Sequence, residues 1–168
     1  MRLEPGQLAP DFYLQADDGT WVDLATILSP PVGQQPQEQV PSSRKGVLVL
    51  YFYPKDDTAG CTAQACEFRD MQADYDAAGV RVIGVSPDPL KSHLKFRDKH
   101  DLSFTLLSDP EHEAAEAYGV WVEKSMYGRT YMGIERSTFV IGPDGVLAEA
   151  LYKVKPKGHA ASVLGLAT

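Results

Sequence analysis

The sequence predicts an α/β protein built around a central sheet, and three observations carry this prediction. From residue 47 onward, apolar runs alternate with amphipathic helical patterns, an order typical of strands that are connected through helices. The run "VLVLYFY" is apolar throughout, as expected of a strand whose two faces are both covered. A length of 168 residues, 43% of them hydrophobic, suits a single domain spanning the chain.

The individual elements can be assigned in chain order. Strands are predicted at residues 47–53 ("VLVLYFY"), 80–86 ("VRVIGVS") and 104–108 ("FTLLS"), and helices are expected to begin near Cys61, Leu90 and Pro110. The stretch "RSTFVIGPDGVLAEALY" predicts an antiparallel hairpin that turns at "GPDG", and "GHAASVLGLA" predicts a closing helix. Residues 29–45 are rich in Pro, Gln and Ser, which indicates a surface insertion.

The charge balance and the chain's two cysteines narrow the class of protein. A formal charge of -7 disfavours nucleic acid and anionic membranes as partners. The first residues contain no apolar run of signal-peptide length, and no segment reaches the roughly 18 apolar residues of a membrane span, so a cytoplasmic location is expected. In that reducing compartment, cysteines that pair are usually catalytic or redox-sensing rather than structural.

The two cysteines lie in the segment that the sequence predicts to be a helix from about Cys61. Phe68, Met71, Tyr75 and Ala78 recur at the spacing of a buried stripe, and Gly79 stands where a helix commonly ends. At about 100° per residue, Cys61 falls within roughly 50° of the middle of that stripe, whereas Cys66 falls roughly 170° away. Cys61 is therefore expected to face the core and Cys66 the solvent.

Cys61 is the better candidate for a nucleophile. A thiol in the first turn of a helix is close to the positive end of the helix dipole and to unpaired backbone N–H groups, which favour the thiolate. The loop "PKDDTAG" also places Cys61 at the carboxyl end of the predicted strand 47–53. Functional sites of α/β proteins usually lie at that edge of the sheet.

A disulfide between Cys61 and Cys66 requires a local change of shape. Residues five apart in an unbroken helix have Cα atoms about 8.7 Å apart. A disulfide normally requires less than about 7 Å between Cα atoms. We therefore expect the first turns of the helix to unwind when the bond forms.

Other interpretations of the cysteine pair remain open from the residues alone. Both thiols could be inert core residues, because free cysteine is often buried. A metal site is disfavoured because the histidines are scattered without a second ligand pair, and a thiol-disulfide oxidoreductase is disfavoured because its cysteines usually follow the pattern C-x-x-C. A noncatalytic sensor that uses the disulfide as a shape switch is the main alternative to an enzyme.

At these residues the sequence resembles the peroxiredoxins, and within them the bacterioferritin comigratory protein, or Q-type, subfamily. The family motif has proline, threonine and cysteine at fixed spacing, and Pro54, Thr58 and Cys61 match it. The resemblance covers nearly the whole chain, including "GQLAPDFYLQADDGTWVDL" for the family's opening hairpin and "YMGIERSTFVIGPDG" for its arginine-bearing strand. It implies a thioredoxin-like fold with a central mixed sheet, flanking helices and an N-terminal β-hairpin.

The resemblance also implies a role for each matching residue. Cys61 would attack a hydroperoxide as thiolate and become sulfenic acid. Arg136 would stabilise that thiolate and orient the peroxide, Thr58 would hydrogen-bond the thiolate or the peroxide, and Pro54 would shield the site from water. The reaction would need no metal and no organic cofactor, and its substrates would be hydrogen peroxide and organic hydroperoxides.

The same resemblance assigns a partner to the nucleophile. In members with a second cysteine five residues on, that cysteine resolves the sulfenic acid to an intramolecular disulfide, and Cys66 occupies this position. Thioredoxin or glutaredoxin is then the implied reductant, and a monomer the implied state. The chain departs from the family pattern at Ala59, where proline is common, and at the insertion 29–45.

Overall fold

The central element of the fold is a mixed seven-stranded sheet. The computed structural model describes residues 2–28 and 46–168. Its strands are β1 (Tyr13–Ala16), β2 (Trp21–Asp23), β3 (Val47–Phe52), β4 (Val80–Ser86), β5 (Thr105–Ser108), β6 (Trp121–Met126), β7 (Arg129–Ile134), β8 (Ser137–Ile141) and β9 (Leu147–Leu151). Seven of them are ordered β2-β1-β5-β4-β3-β8-β9, with β3, β4 and β5 parallel and the others antiparallel to their neighbours.

Strand β3 lies inside the sheet and is buried along its whole length. Because successive side chains of a strand point to opposite faces, β3 contributes to two separate cores. Leu48, Leu50 and Phe52 belong to one hydrophobic cluster, and Val49 and Tyr51 belong to another, which also contains Cys61. This explains why the sequence of β3 is apolar without alternation, as predicted.

The helices that cover the sheet begin and end close to the predicted positions, with two corrections. They are α1 (Leu24–Leu28), α2 (Ala59–Asp70), α3 (Gln72–Ala78), α4 (Leu90–His100), α5 (Glu113–Ala117) and α6 (His159–Ala167). The single helix expected from Cys61 is divided at Met71, whose backbone (φ −99°, ψ 11°) leaves the helical region. Gly79 ends α3 in the left-handed conformation, as its position predicted. The helix expected from Pro110 starts only at Glu113.

The separate hairpin of β6 and β7 is an element that the sequence analysis did not predict. Its two-residue loop consists of Tyr127 and Gly128, which both have positive φ, at 52° and 76°. Two such residues form the tight turn that matches the twist of paired strands. Tyrosine is uncommon at the first position of such a turn, so the sequence lacks the usual signal of a hairpin here.

The two hairpins of the central sheet are formed as the sequence predicts. The N-terminal hairpin pairs β1 with β2, and the later hairpin pairs β8 with β9 across "GPDG". Arg136, however, lies in the link between β7 and β8 and not within a strand. The predicted insertion at 29–45 is outside the described residues, and within the described ranges no helix is long and apolar enough to span a membrane.

Candidate active site

Cys61 is held at the point where β3 gives way to α2. The strand ends at Phe52, a short loop follows, and Cys61 is the third residue of the helix. Its side chain is only 1% exposed and packs in the same core cluster as Tyr51 and Phe68. The structure therefore places Cys61 as the helix phase predicted, facing inward at the carboxyl edge of the sheet.

Arg136 reaches this thiol from the link before β8. Its Nη2 atom donates a hydrogen bond to Sγ of Cys61 over 3.2 Å. A β-carbon at position 60 would lie 3.2 Å from the same nitrogen, so Gly60 leaves the space through which the guanidinium approaches. A permanently charged donor at this distance stabilises a thiolate.

Gln64 is a site residue that the sequence analysis missed. It is 0% exposed, and its Oε1 accepts a 2.6 Å hydrogen bond from Nη1 of Arg136. Its Nε2 has no hydrogen-bond partner within the described part of the chain. The available signal was helical spacing, because a residue three positions after Cys61 lies on the same face of α2.

Thr58 and Pro54 flank the loop that precedes the helix. Thr58 is the residue before α2, but its hydroxyl makes no hydrogen bond to the helix N–H groups. It donates instead to the Lys55 carbonyl over 2.8 Å. Pro54 is half-buried directly after the buried Tyr53. The hydroxyl proton of Thr58 is therefore already engaged, and what remains for another molecule is its lone pairs.

Cys66 lies on α2, half-buried, and both cysteines are free thiols. The helix is continuous from Ala59 to Asp70, so the separation of five residues holds the two Cα atoms about 8.7 Å apart. This is beyond the reach of a disulfide. The reduced structure is therefore consistent with the expected need for unwinding.

A link between β9 and α6, residues 152–158, packs over the start of α2. We refer to it as the C-terminal link. A β-carbon on Gly60 would lie 3.5 Å from Cγ of Pro156, and the Val154 amide donates to the Arg136 carbonyl over 3.0 Å. The amide of Gly158 donates to both carboxylate oxygens of Glu67, over 2.9 and 3.1 Å. The C-terminal link thus contacts both the arginine and the helix that carries the two thiols.

Lys124 of β6 is a second positive group near the site that the sequence analysis missed. Burial, and then the charge of Arg136, hold the pKa of Lys124 below its ordinary value, and the Cys61 thiol acts in the opposite direction. The chain runs from β7 directly into the link that carries Arg136, so this hairpin lies next to the arginine. The positive charge of Arg136 beside the thiol favours an anionic sulfur.

A buried cysteine at a helix start beneath an arginine, on a mixed sheet with flanking helices, defines a thiol-dependent redox enzyme of thioredoxin-like fold. The model of the AhpC/TSA family matches residues 5–150 of the chain. Peroxiredoxin Bcp of Bacillus subtilis is 46% identical over 165 residues, covering 98% of this chain and 94% of the relative.

The fold is also similar to that of solved peroxiredoxin structures. Bacterioferritin comigratory protein of Xanthomonas campestris superposes with a TM-score of 0.80 at 35% identity, covering 99% of this chain and 96% of that one. PrxQ of Xylella fastidiosa superposes with a TM-score of 0.82 at 33% identity, covering 98% and 95%. The chain belongs to the AhpC/TSA family and is a peroxiredoxin of the bacterioferritin comigratory protein, or Q-type, subfamily. It is a thiol peroxidase, which disfavours the noncatalytic sensor.

Proposed function

We propose that Cys61 is the peroxidatic residue and that Cys66 resolves it. The observation that carries this proposal is the 3.2 Å hydrogen bond from Arg136 to Sγ of Cys61 at the start of α2. A buried thiol with a cationic donor and a helix N-terminus beside it has the environment of a nucleophilic cysteine. Within the described part of the chain Cys66 accepts no hydrogen bond from a cationic side chain, and it lies inside α2 rather than at its start.

The first step is a displacement at oxygen. The Cys61 thiolate attacks the terminal oxygen of a hydroperoxide, an S–O bond forms as the O–O bond breaks, and the electron pair leaves with the other oxygen of the peroxide. That oxygen takes up a proton and departs as water or as an alcohol, and the cysteine becomes sulfenic acid. Arg136 supplies N–H donors toward the charge that develops on the oxygens, and Gln64 holds the guanidinium in place.

Thr58 and Pro54 act on the substrate side in this proposal. Because the Thr58 hydroxyl donates to the Lys55 carbonyl, its oxygen is oriented to accept a hydrogen bond, and the O–H group of a peroxide is a suitable donor. Pro54 has no N–H group and presents an apolar ring, which helps to exclude water. The Xanthomonas campestris relative is described as reducing alkyl peroxides, and we extend this substrate class, together with hydrogen peroxide, to the present chain.

The second step forms the disulfide. The sulfur of Cys66 attacks Sγ of the Cys61 sulfenic acid, an S–S bond forms, and the oxygen leaves as water. The start of α2 unwinds so that the two sulfurs can meet. A dithiol reductant, thioredoxin or glutaredoxin, then returns two electrons and two protons to the pair. We place this cycle in the cytoplasm, in a monomer that consists of a single domain.

The test is peroxide consumption coupled to a thioredoxin system, beside mass analysis of the oxidised protein with its free thiols blocked. The wild-type protein should turn over repeatedly and accumulate an intramolecular disulfide when the reductant is withheld. Cys61→Ser should consume no peroxide. Cys66→Ser should be oxidised once and then stop, because nothing in the chain resolves its sulfenic acid.

Three results would count against the assignments. Peroxide consumption by Cys61→Ser would remove that residue as the nucleophile. Undiminished thioredoxin-supported turnover by Cys66→Ser would mean that the enzyme works through one cysteine. Elution of the reduced protein as a dimer in size-exclusion chromatography would overturn the monomer.

A further inference from the structure

The loop that carries Pro54 and Thr58 is anchored to α4 by a buried ion pair. Nδ1 of His93, a 0% exposed side chain, lies 2.7 Å from Oδ2 of Asp56, which is also buried. Asp56 stands in the middle of the loop, two residues from Pro54 and two from Thr58. None of the sequence patterns above pointed to this pair.

The hydrogen bonds of the imidazole define its protonation. Nε2 of His93 lies 2.9 Å from the Leu107 carbonyl, which can only accept, so Nε2 carries a proton. Nδ1 faces the carboxylate of Asp56, which in its ionised form also only accepts, so Nδ1 carries a proton as well. Where Asp56 is ionised, both ring nitrogens therefore donate and His93 is an imidazolium.

The carboxylate is the centre of a larger hydrogen-bonded cluster. Oδ1 of Asp56 accepts from the Tyr53 hydroxyl over 2.5 Å, and Oδ2 accepts from Ser92 over 2.8 Å. The backbone amide of Asp56 donates to Asp88 over 2.7 Å. These bonds connect Asp56 to the residue that directly follows β3, to α4 and to the segment that precedes α4.

The surroundings of the His93 ring change its pKa in opposite directions. Burial alone would lower the pKa of His93, but the hydrogen bond and charge of Asp56 outweigh it and raise that pKa, with help from the Leu107 carbonyl and Asp88. Tyr53 faces the ring from the loop, and its hydroxyl is neutral because burial raises its pKa well above the ordinary range. Lys95 and Lys99 of α4 lie at the solvent side of Asp56, where they line a surface pocket.

We propose that Asp56 and the His93 imidazolium are a positioning pair for the peroxidase reaction, holding Pro54, Thr58 and the start of α2 around Cys61. The inference rests on the proposed role of Cys61. Loss of the second ring proton would leave an acceptor facing either the carboxylate or the Leu107 carbonyl, whichever tautomer forms. The loop would then shift, and the geometry around the thiolate would loosen.

The alternative is an ion pair with a structural role only, in which loss of one partner destabilises the fold by leaving the other buried charge without a partner. The two roles differ in what they change in folded protein. A structural pair alters the unfolding midpoint but leaves the rate constant of Cys61 oxidation and its pH profile unchanged. A positioning pair changes both, because a displacement at oxygen depends on sub-ångström placement of its donors.

The experiment measures the second-order rate constant for single-turnover oxidation of Cys61 by hydrogen peroxide across a wide pH range. The variants are His93→Gln and Asp56→Asn. The matched control is His100→Gln on the same helix, whose half-buried ring contacts the exposed Asp57 of the same loop over 3.1 Å. Nuclear magnetic resonance of the wild-type ring nitrogens reports the protonation of His93 without any substitution.

We expect the wild-type rate constant to fall at alkaline pH with the same midpoint as the His93 ring signals. His93→Gln and Asp56→Asn should be slower near neutral pH by about tenfold or more, and His93→Gln should lack the alkaline decline. His100→Gln should stay within about twofold of wild type and keep the decline. Should the single variants fail to fold, the double variant Asp56→Asn/His93→Gln removes both buried charges together and should fold but remain slow.

Either of two observations would overturn the inference. The first is a folded His93→Gln variant that oxidises Cys61 with the wild-type rate constant and pH profile. The second is a nuclear magnetic resonance signal that shows only one proton on the His93 ring at every pH from neutral down to the pH at which the protein unfolds. Failure of the proposed function looks different, because Cys61→Ser would then still consume peroxide. If Cys61→Ser is inactive and His93→Gln behaves as wild type, only the positioning pair is wrong.

Discussion

Nη2 of Arg136 donates a hydrogen bond to Sγ of Cys61 across 3.2 Å, although the two residues are 75 positions apart in the chain. The same guanidinium donates through Nη1 to the buried Gln64. One planar group therefore reaches the reacting sulfur and a fixed acceptor at once. This fork geometry is specific to arginine, because a lysine ammonium presents a single charged point.

Replacing Arg136 by lysine should separate charge from geometry. Arg136→Lys keeps the positive charge but cannot bind Cys61 and Gln64 together, so the rate constant of Cys61 oxidation should fall about a hundredfold. Stopped-flow oxidation of the reduced protein measures it. Arg129→Lys, in the exposed part of β7, is the control and should oxidise at the wild-type rate. A wild-type rate in Arg136→Lys would show that charge alone is sufficient.

Gln64 should act through Arg136. Gln64→Met removes the acceptor that holds Nη1, so we expect oxidation of Cys61 to slow by about tenfold. Stability should change little, because the substitution also removes the buried Nε2, which has no hydrogen-bond partner among the described residues. Gln64→Glu restores an acceptor and should oxidise faster than Gln64→Met. Equal rates in these two variants would contradict a positioning role for Gln64.

The sequence was sufficient for the parts of the site that lie close together in the chain. The strand that ends near Tyr53, the helix that begins near Cys61 and the inward phase of Cys61 all follow from local pattern. Arg136 could not be placed by such a pattern, because no periodicity connects a residue in the link before β8 with one in α2. Its assignment depended on the resemblance to the peroxiredoxins.

The same limit explains what the sequence analysis missed. The pair of Asp56 and His93 joins residues 37 positions apart, and it exists only because α4 packs against the loop. Gln64, by contrast, lies three residues from Cys61 and could have been found by helical spacing. The break at Met71 falls within a continuous apolar stripe, so periodicity alone could not locate it.

His159 should make the protein sensitive to acid. Burial, and then the charge of Arg136, lower the pKa of His159 to about 4, so the folded protein holds the neutral ring. Its contribution to stability is therefore fully present above the unfolded-state pKa of about 6.5 and is lost as pH falls through about 4.

Urea unfolding at several pH values tests this contribution. As the pH falls from about 6.5 to about 4, the free energy of unfolding should decrease in both proteins, and the decrease should be roughly 1–3 kcal/mol smaller for His159→Gln than for wild type. Thr138→Val removes the 2.7 Å hydrogen-bond partner of the ring but leaves the ring to titrate. It should therefore lower the free energy of unfolding and retain the acid dependence. An identical acid dependence in wild type and His159→Gln would show that other groups control it.

Glu67 should restrain the formation of the disulfide. Both of its carboxylate oxygens accept from the Gly158 amide of the C-terminal link, and Glu67 is the residue directly after Cys66. Unwinding that carries Cys66 toward Cys61 displaces Glu67 and breaks this hydrogen bond. Glu67→Ala removes the restraint, so the sulfenic acid of Cys61 should be resolved about threefold to tenfold faster.

Rapid-quench mass spectrometry follows both fates of the Cys61 sulfenic acid in this variant. Faster resolution leaves less time for a second peroxide to attack, so Glu67→Ala should also accumulate less sulfinic acid at high peroxide.

The matched control is Asp74→Asn, which changes an exposed carboxylate on α3 and should give the wild-type ratio of disulfide to sulfinic acid. The initial rate of Cys61 oxidation should be the same in all three proteins, because within the described part of the chain the Glu67 carboxylate accepts its hydrogen bonds from the Gly158 amide and not from Arg136 or Cys61. An unchanged ratio of disulfide to sulfinic acid in Glu67→Ala would mean that the cost of unwinding α2 comes from elsewhere, with the packing of Pro156 on Gly60 as the next contact to remove.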